Sequence, residues 1–293
     1  MVLNKIAVKT ADVGLRADVF VASKYPEFAR SALLKLFDGE FITINGQKAK
    51  PGYKLKKFDK LAIDESILTS PVPKISLPIV FEDKNVIVID KPSGVLSHSN
   101  GGLNFEASVA SFIRENLSLE LKAQGQRAGI VHRLDRATSG VMICAKNAST
   151  LSYLQKQFQN RRTKKTYIAI CKGRLEESRA VIDAPIKRIG GKSKPFWVDP
   201  TGKDSITEYE TVKAKKDIHW LNIRPYSGRT HQIRVHMAFL RCPVVGDSLY
   251  DGQAFERLML HASSIEINLP GGEQHIFQAK TPTIFNKYWK NCV

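Results

Sequence analysis

Residues 121–174 contain twelve lysines and arginines and a single acidic residue, Asp135, for a local net charge of +11. Cations gathered around one carboxylate favour its charged form. Such a group can attack an electrophilic carbon or take up a proton. The plainer alternative is an ion pair with Arg133 or Arg136 on a solvated surface, since structural ion pairs are common. The setting favours chemistry. Asp135 falls in GIVHRLDRATSGVMICAK (129–146), which reads as a short apolar run, a polar loop ending at Gly140, and a second apolar run. A loop held between two buried strands is a good place for a reactive group.

Other constellations are weaker. Arg229, Arg161, Arg162, Lys164 and Lys165 suit nucleic-acid phosphates, although charge runs are more often solvated faces. His231 and His236 are five apart rather than at the i, i+4 spacing of a zinc helix, so no metal site is expected there. GGKS at 190–193 matches the end of a phosphate-binding loop, but Ile186 occupies the place of its first glycine, and nucleotide triphosphate binding is rejected. No Rossmann fingerprint is present. Cys144, Cys171, Cys242 and Cys292 lie far apart with no Cys-x-x-Cys. That usage fits a reducing cytosol and argues against a zinc ribbon or a disulfide framework.

The whole chain has 293 residues, 45 Lys+Arg against 28 Asp+Glu, and a net charge of +17. With 43% apolar residues it can bury an ordinary core. No apolar run approaches the roughly 18 to 20 residues that span a bilayer. The opening MVLNKIAVKTADVGLRAD holds no hydrophobic stretch of a secretory signal, so a cytoplasmic location without membrane attachment is expected. The charge favours a polyanionic partner, nucleic acid above all. A merely basic soluble enzyme is the alternative.

The elements that must position these residues fall into two regions. SILTSPVPKISLP (66–78), with three prolines, three serines and a threonine, reads as a linker. Before it, residues 14–65 suggest a small α+β unit. Ala29 to Phe37 has the spacing of an amphipathic helix stopped near Gly39. Phe41 to Ile44 runs into Asn45-Gly46, the strongest short hairpin signal, and a further strand follows around Leu61 to Ile63. After the linker, strands are expected at 86–89, 141–144 and 167–170, with an antiparallel pair at 206–212 and 219–223. Asn147 or Ser149 caps a helix bearing Leu151, Leu154 and Phe158, and Arg229 to Leu240 reads as another helix. The class is α+β with a mostly antiparallel mixed sheet.

The string VHRLDRATSG (131–140) resembles the signature of the RluA-type pseudouridine synthases, which isomerise uridine to pseudouridine in RNA. Four further segments are similar to that family in the same order: FEDKNVIVIDKPSGVLSHS (81–99), KKTYIAICKG (164–173), SGRTHQIRVHMAFLRCPVVGD (227–247) and LMLHA (258–262). The helix, FITINGQKAK (41–50) and LKKFDKLAI (55–63) resemble the S-four-type RNA-binding domain. Two positions depart from these patterns. Ala137 stands where an acidic residue is common, and Phe58 stands where the small domain usually has glycine.

The resemblance implies a pseudouridine-synthase-like catalytic domain over 79–293 and an S-four-type domain over 14–65. It makes Asp135 the catalytic residue and Arg234 its ion-pair partner, and it has Tyr167 stack on the target uracil and help remove the C5 proton. Leu260 would wall the base pocket, with His132, Arg133, Arg136, Arg229 and Ile233 as substrate contacts. One carboxylate suffices because no water enters: uracil leaves C1′ through N1, turns, and rejoins through C5. Asp135 would either attack C1′ or remove the C2′ proton, and the target uridine must first flip out of its stack. The implied enzyme needs no cofactor or metal and acts as a monomer. Its expected substrate is large-subunit ribosomal RNA, with transfer RNA second. A non-catalytic RNA-binding or chaperone protein on the same fold is the rival, and it would be favoured by a changed Asp135, Tyr167 or Arg234. All three are intact.

Overall fold

The apolar runs at 86–89 and 141–144 become adjacent central strands, β6 (Val86–Lys91) and β7 (Ser139–Ala145), in a computed structural model that describes residues 3–69, 73–99, 106–123, 125, 127–191 and 194–292. Every residue of β7 is buried, as expected of a strand covered on both faces. Residues 70–72 of the expected linker, and the last two residues of the 190–193 run, lie outside the described residues. The chain divides into two compact units, Met1–Ile75 with His98–Ser111 and Ser76–Ser97 with Phe112–Val293.

The first unit carries β1 (Leu3–Ala7), α1 (Ala17–Lys24), α2 (Arg30–Asp38), β2 (Ile42–Ile44), β3 (Gln47–Lys48), β4 (Lys60–Asp64) and α3 (Ser66–Thr69). Its antiparallel sheet has the order β1-β4-β2-β3. Asn45 and Gly46 both take positive φ, 53° and 79°, the pairing a tight hairpin turn demands. Phe20, Leu33, Leu36, Phe37, Ile42, Leu61 and Ile63 form its core. Buried Asp18 on α1 binds Arg16 and Arg30, tying α1 to α2. The segment expected to be a linker opens as α3 because Asp64 Oδ1 accepts both the amide and the hydroxyl of Ser66.

The second unit holds β5 (Ile79–Glu82), β6, α5 (Leu119–Ala123), β7, α6 (Ala148–Gln159), β8 (Lys164–Lys172), β9 (Arg179–Asp183), β10 (Ile186–Arg188), β11 (Phe196–Val198), β12 (Ile206–Lys215), β13 (Ile218–Pro225), α7 (Gln232–Phe239), β14 (Leu260–Asn268), β15 (Gln274–Gln278) and α8 (Thr283–Asn291); α4 (Val109–Ile113) precedes α5. The main sheet has the order β5-β6-β7-β14-β8-β13-β12-β9, with β15 beside β14. Its pairs are antiparallel except β7–β14, so the sheet is mixed and mostly antiparallel. Strands β10 and β11 form a separate ribbon. Asn147, not Ser149, caps α6 by accepting the Thr150 amide, an interaction worth about 1 kcal/mol. No helix among the described residues is long and apolar enough to cross a membrane.

Helix α7 starts at Gln232, three residues later than its periodicity predicts, and Arg229 lies in the preceding loop. The cause is His231, which sits at φ 58° and breaks the helical path. Gln232 then folds back over the loop. Its side-chain oxygen accepts from Ser227 Oγ and the Arg229 amide, and its nitrogen donates to Ile206 O and Thr207 Oγ1. His236 is equally committed, to Thr207 Oγ1 and Ala184 O.

The loop before β7 is fastened on two sides. Gly140, at φ 121°, lies so close to Ala262 that a Cβ would overlap its carbonyl oxygen, which draws β7 against β14. On the other side the stretch after β6 supplies partners. Ser97 Oγ bonds both the amide and the carbonyl of Leu134, Ser93 Oγ donates to Ala137 O, and the Gly94 amide donates to Arg136 O. Lys91, fully buried, donates from Nζ to the carbonyls of Pro92, Val95 and Arg136.

Two expectations follow from these strained or buried positions. Exposed Phe58 sits at φ 74°, the conformation natural to glycine, and is held there by Asp59, whose carboxylate accepts the Lys56 amide and Asn45 Nδ2. Phe58→Gly should relieve about 1–2 kcal/mol of strain and lose about 0.5–1 to the freer unfolded chain. The net gain is at most about 1.5 kcal/mol, so amide exchange across Leu61 to Ile63 should slow by up to about tenfold, and faster exchange would contradict the strain. The second concerns Lys91, whose pKa burial pushes down to about 7. The unfolded chain keeps that proton to higher pH, so folding gains stability as pH rises and loses it as pH falls toward the folded value. In urea titrations wild type should gain about 1 kcal/mol per pH unit over Lys91→Met, between about pH 7.5 and about pH 9.5. Parallel curves would show that Lys91 keeps its charge.

Candidate active site

Asp135 stands in the loop between the bridge at Ile130 and β7, at the wall of a cavity of about 460 Å³. The Thr138 amide closes a turn onto its backbone carbonyl at 3.1 Å, and the neighbouring Leu134 is pinned by Ser97. The side chain is 19% exposed, open to the cavity yet sheltered from bulk water. Two groups face its two oxygens: Arg234 Nη1 at 3.6 Å from Oδ2, and His231 Nε2 at 3.9 Å from Oδ1. Both come from the start of α7.

Arg234 has a closer partner that its sequence motif does not reveal. Its Nε and Nη2 donate to Asp247 Oδ2 and Oδ1 at 2.7 and 2.8 Å, a two-pronged pair whose acid is wholly buried. Burial opposes the guanidinium charge, but Asp247 and Asp135 more than offset it and raise the pKa. Only Nη1 remains turned toward Asp135. The Tyr250 ring lies 5.1 Å beneath the guanidinium.

The sheet brings the other candidates to the same cavity. In the register, Tyr167 on β8 lies opposite Ala262 on β14 and Ile223 on β13, and Leu260 heads β14. Tyr167, Leu260, Ile233, Arg133, His132 and Arg229 all line the cavity with Asp135 and Arg234. Burial, then the charge of Asp135, raise the Tyr167 pKa, so the ring meets the cavity as a neutral phenol. His132 is a structural member of this wall. Its Nε2 accepts the Ile143 amide, its ring stacks on Phe158 at 4.7 Å, and burial drives its pKa down to about 3.

Arg136 is the one expected substrate residue outside the cavity lining; its Nε donates to Gly94 O. The basic run at 161–165 is also divided. Arg161 and Lys165 line the cavity, while Lys164 pairs with Glu266 and Arg162 is exposed. Lys165 donates to Ser227 O, and burial lowers its pKa to about 8. His231, Asp247, Tyr250 and Lys91 were given no role by sequence reasoning. A signal existed for one of them: Asp247 is the sole acid between Asp217 and Asp251. Among the described residues no cluster of three or more His, Cys, Asp or Glu could hold a metal ion.

Comparison with known proteins gives this constellation its context. The family model described as RNA pseudouridylate synthase matches residues 85–239, from the start of β6 to the end of α7. Ribosomal large subunit pseudouridine synthase D of Borreliella burgdorferi is 36% identical over 292 residues, covering 94% of this chain and 89% of that protein. An uncharacterized RNA pseudouridine synthase of Aquifex aeolicus is 37% identical over 246 residues, covering 80% and 76%. Among solved structures, human RNA pseudouridylate synthase domain containing 1 superposes with a TM-score of 0.59 at 26% identity, covering 73% of this chain and 87% of that one. With Asp135, Tyr167 and Arg234 around one cavity and relatives matched along most of its length, the chain belongs to the RNA pseudouridylate synthase family.

Proposed function

We propose that the chain converts uridine to pseudouridine in large-subunit ribosomal RNA in the cytoplasm, as an RluA-type enzyme whose N-terminal unit is an S-four-type RNA-binding domain. The observation that carries the chemical part is the cavity wall itself: a sheltered carboxylate with a guanidinium nitrogen 3.6 Å from one oxygen, and an aromatic and an aliphatic side chain lining the same space. The substrate follows from the names of the relatives that match along most of the chain. The N-terminal assignment rests on the paired helices, the Asn45-Gly46 hairpin and the net charge of +4 over residues 14–64.

In this reading the uridine flips out and its base enters the cavity between Tyr167 and Leu260, with Ile233 beneath. Arg133, Arg161 and Arg229, which line the cavity, supply positive charge for phosphates. Asp135 acts at C1′ or C2′ to release N1, the base turns, and C5 bonds to C1′. One proton leaves C5 and one is gained at N1, so the reaction balances without a second reactant. Arg234 keeps the carboxylate oriented and supplies a fixed positive charge beside it. Tyr167, held as a neutral phenol, is better suited to stacking on the base than to taking the C5 proton. Asp135 is then the group left to receive it.

The loss of hydrogen from C5 gives a direct assay. RNA carrying 5-tritiated uridine should release tritium with the wild-type protein, and Asp135→Asn should fall to background while still binding RNA. Appreciable turnover by Asp135→Asn would remove that residue from the chemistry. The N-terminal unit makes a separate expectation. A chain lacking residues 1–70 should still modify a short stem-loop at high concentration, but bind more weakly and with a shallower salt dependence, by roughly 0.7–0.9 in log–log slope for each phosphate that is no longer neutralised. Loss of single-turnover chemistry on saturating RNA with an unchanged slope would put the unit in the active site instead.

A further inference from the structure

The proposed reaction leaves His231 unused, although at 3.9 Å it lies nearly as close to Asp135 as Arg234 does at 3.6 Å. Its surroundings set its hydrogen-bonding state. The Phe196 amide donates to Tyr250 Oη at 3.1 Å, and the same oxygen lies 2.9 Å from His231 Nδ1. Tyr250 is 1% exposed and burial raises its pKa, so it remains a phenol with one proton to give. Oη has room for a second donor, but its own buried proton would then have no partner, because among the described residues Nδ1 is the one acceptor bonded to Oη. The proton therefore points at Nδ1. Nδ1 is therefore the acceptor, and the imidazole carries its own proton on Nε2. Burial lowers the imidazole pKa, which keeps the ring neutral. Nε2 is the nitrogen that faces Asp135 Oδ1 at 3.9 Å.

The backbone supports the same conclusion. His231 is held at φ 58°, ψ 17°, a left-handed conformation uncommon outside glycine, though one that histidine, like asparagine and aspartate, enters more readily than most side chains. Such residues persist where the surroundings over-determine them, and they gather at functional sites. An aspartate carboxylate has a broad, two-fold torsion at its tip. One donor on one oxygen leaves that torsion loose, whereas separate donors on both oxygens fix it.

We propose that His231 is a positioning residue for the reaction, its Nε2–H holding Asp135 Oδ1 while Arg234 holds Oδ2, with Tyr250 selecting the tautomer that presents that proton. The inference rests on Asp135 being the reacting carboxylate. The 3.9 Å separation would close when RNA fills the cavity, since such hydrogen bonds are often long in the free enzyme.

The test uses the full-length protein, 5-tritiated RNA and single turnovers at saturating enzyme, with RNA affinity measured alongside. His231→Phe keeps the ring and removes the proton, and it should slow the chemical step by about 10- to 100-fold with affinity within about threefold. His231→Gln places an N–H at similar reach and should recover the rate to within about fivefold of wild type. Tyr250→Phe should slow wild type by about three- to tenfold, yet have no further effect on His231→Phe or His231→Gln, because neither has a tautomer to choose. An unchanged rate in His231→Phe, or an equal loss on Tyr250→Phe in all three backgrounds, overturns the proposal. If His231→Phe does not fold, the Gln background decides by the same criterion. Wild-type protein that releases no tritium overturns the function and this inference together, whereas active wild type with an unimpaired His231→Phe overturns the inference alone.

Discussion

The site depends on the buried pair between Arg234 and Asp247. A guanidinium presents its donors in a rigid planar fork, and here Nε and Nη2 are both taken by one carboxylate. The plane of the guanidinium is thereby fixed, and the direction of Nη1 with it. Removing one partner of such a pair costs about 3–5 kcal/mol, because the other is left as an unpaired buried charge. Arg234 is thus held by a group other than Asp135. It can lend Asp135 a positive charge without collapsing into a full salt bridge that would occupy both carboxylate oxygens.

That arrangement explains why a short segment can carry so much of the site. Three residues of one helix start, His231, Gln232 and Arg234, do separate jobs. Gln232 anchors the loop to β12, Arg234 reaches Asp247 and Asp135, and His231 links the aromatic cluster of Tyr250 and Phe196 to the carboxylate. The left-handed residue between loop and helix leaves Arg229 in the loop, where it lines the cavity and its Nε donates to Asp204 O.

How much of this could be read in the sequence follows from how local each cause is. The Asn45-Gly46 hairpin, the Asn147 cap and the two buried strands were legible because turn chemistry, capping and apolar runs act over a few residues. Asp135 was legible because its isolation among cations survives simple counting, and the same counting would have marked Asp247. The start of α7 lies later than expected because the apolar spacing of Ile233, Met237 and Leu240 does not mark where the helix begins. The backbone angle that begins it belongs to His231, a type that enters the left-handed region more often than most but far less reliably than glycine. The parallel pairing of β7 with β14 was out of reach. It joins Ser139 to His261, 122 residues apart, through a close approach that only Gly140 permits. Phe58 shows the converse: a departure visible in the sequence that the fold absorbs, because Asp59 and Asn45 keep the turn in the shape glycine would have given it.

While it keeps its proton, below a folded pKa of about 7, Lys91 makes the loop that carries Asp135 independent of added salt. Three carbonyl oxygens converging on one small positive charge form the kind of cage that elsewhere binds a free potassium or sodium ion. Here the ion is covalently tethered by its own side chain and shut away from water. It cannot exchange with the bulk, and added salt cannot compete for its place. Ionic strength should therefore act on this protein at the surface where it meets a polyanion, while the geometry around the carboxylate stays the same. The charges that attract RNA and the charge that shapes the loop are thus insulated from each other, and one can be tuned without disturbing the other.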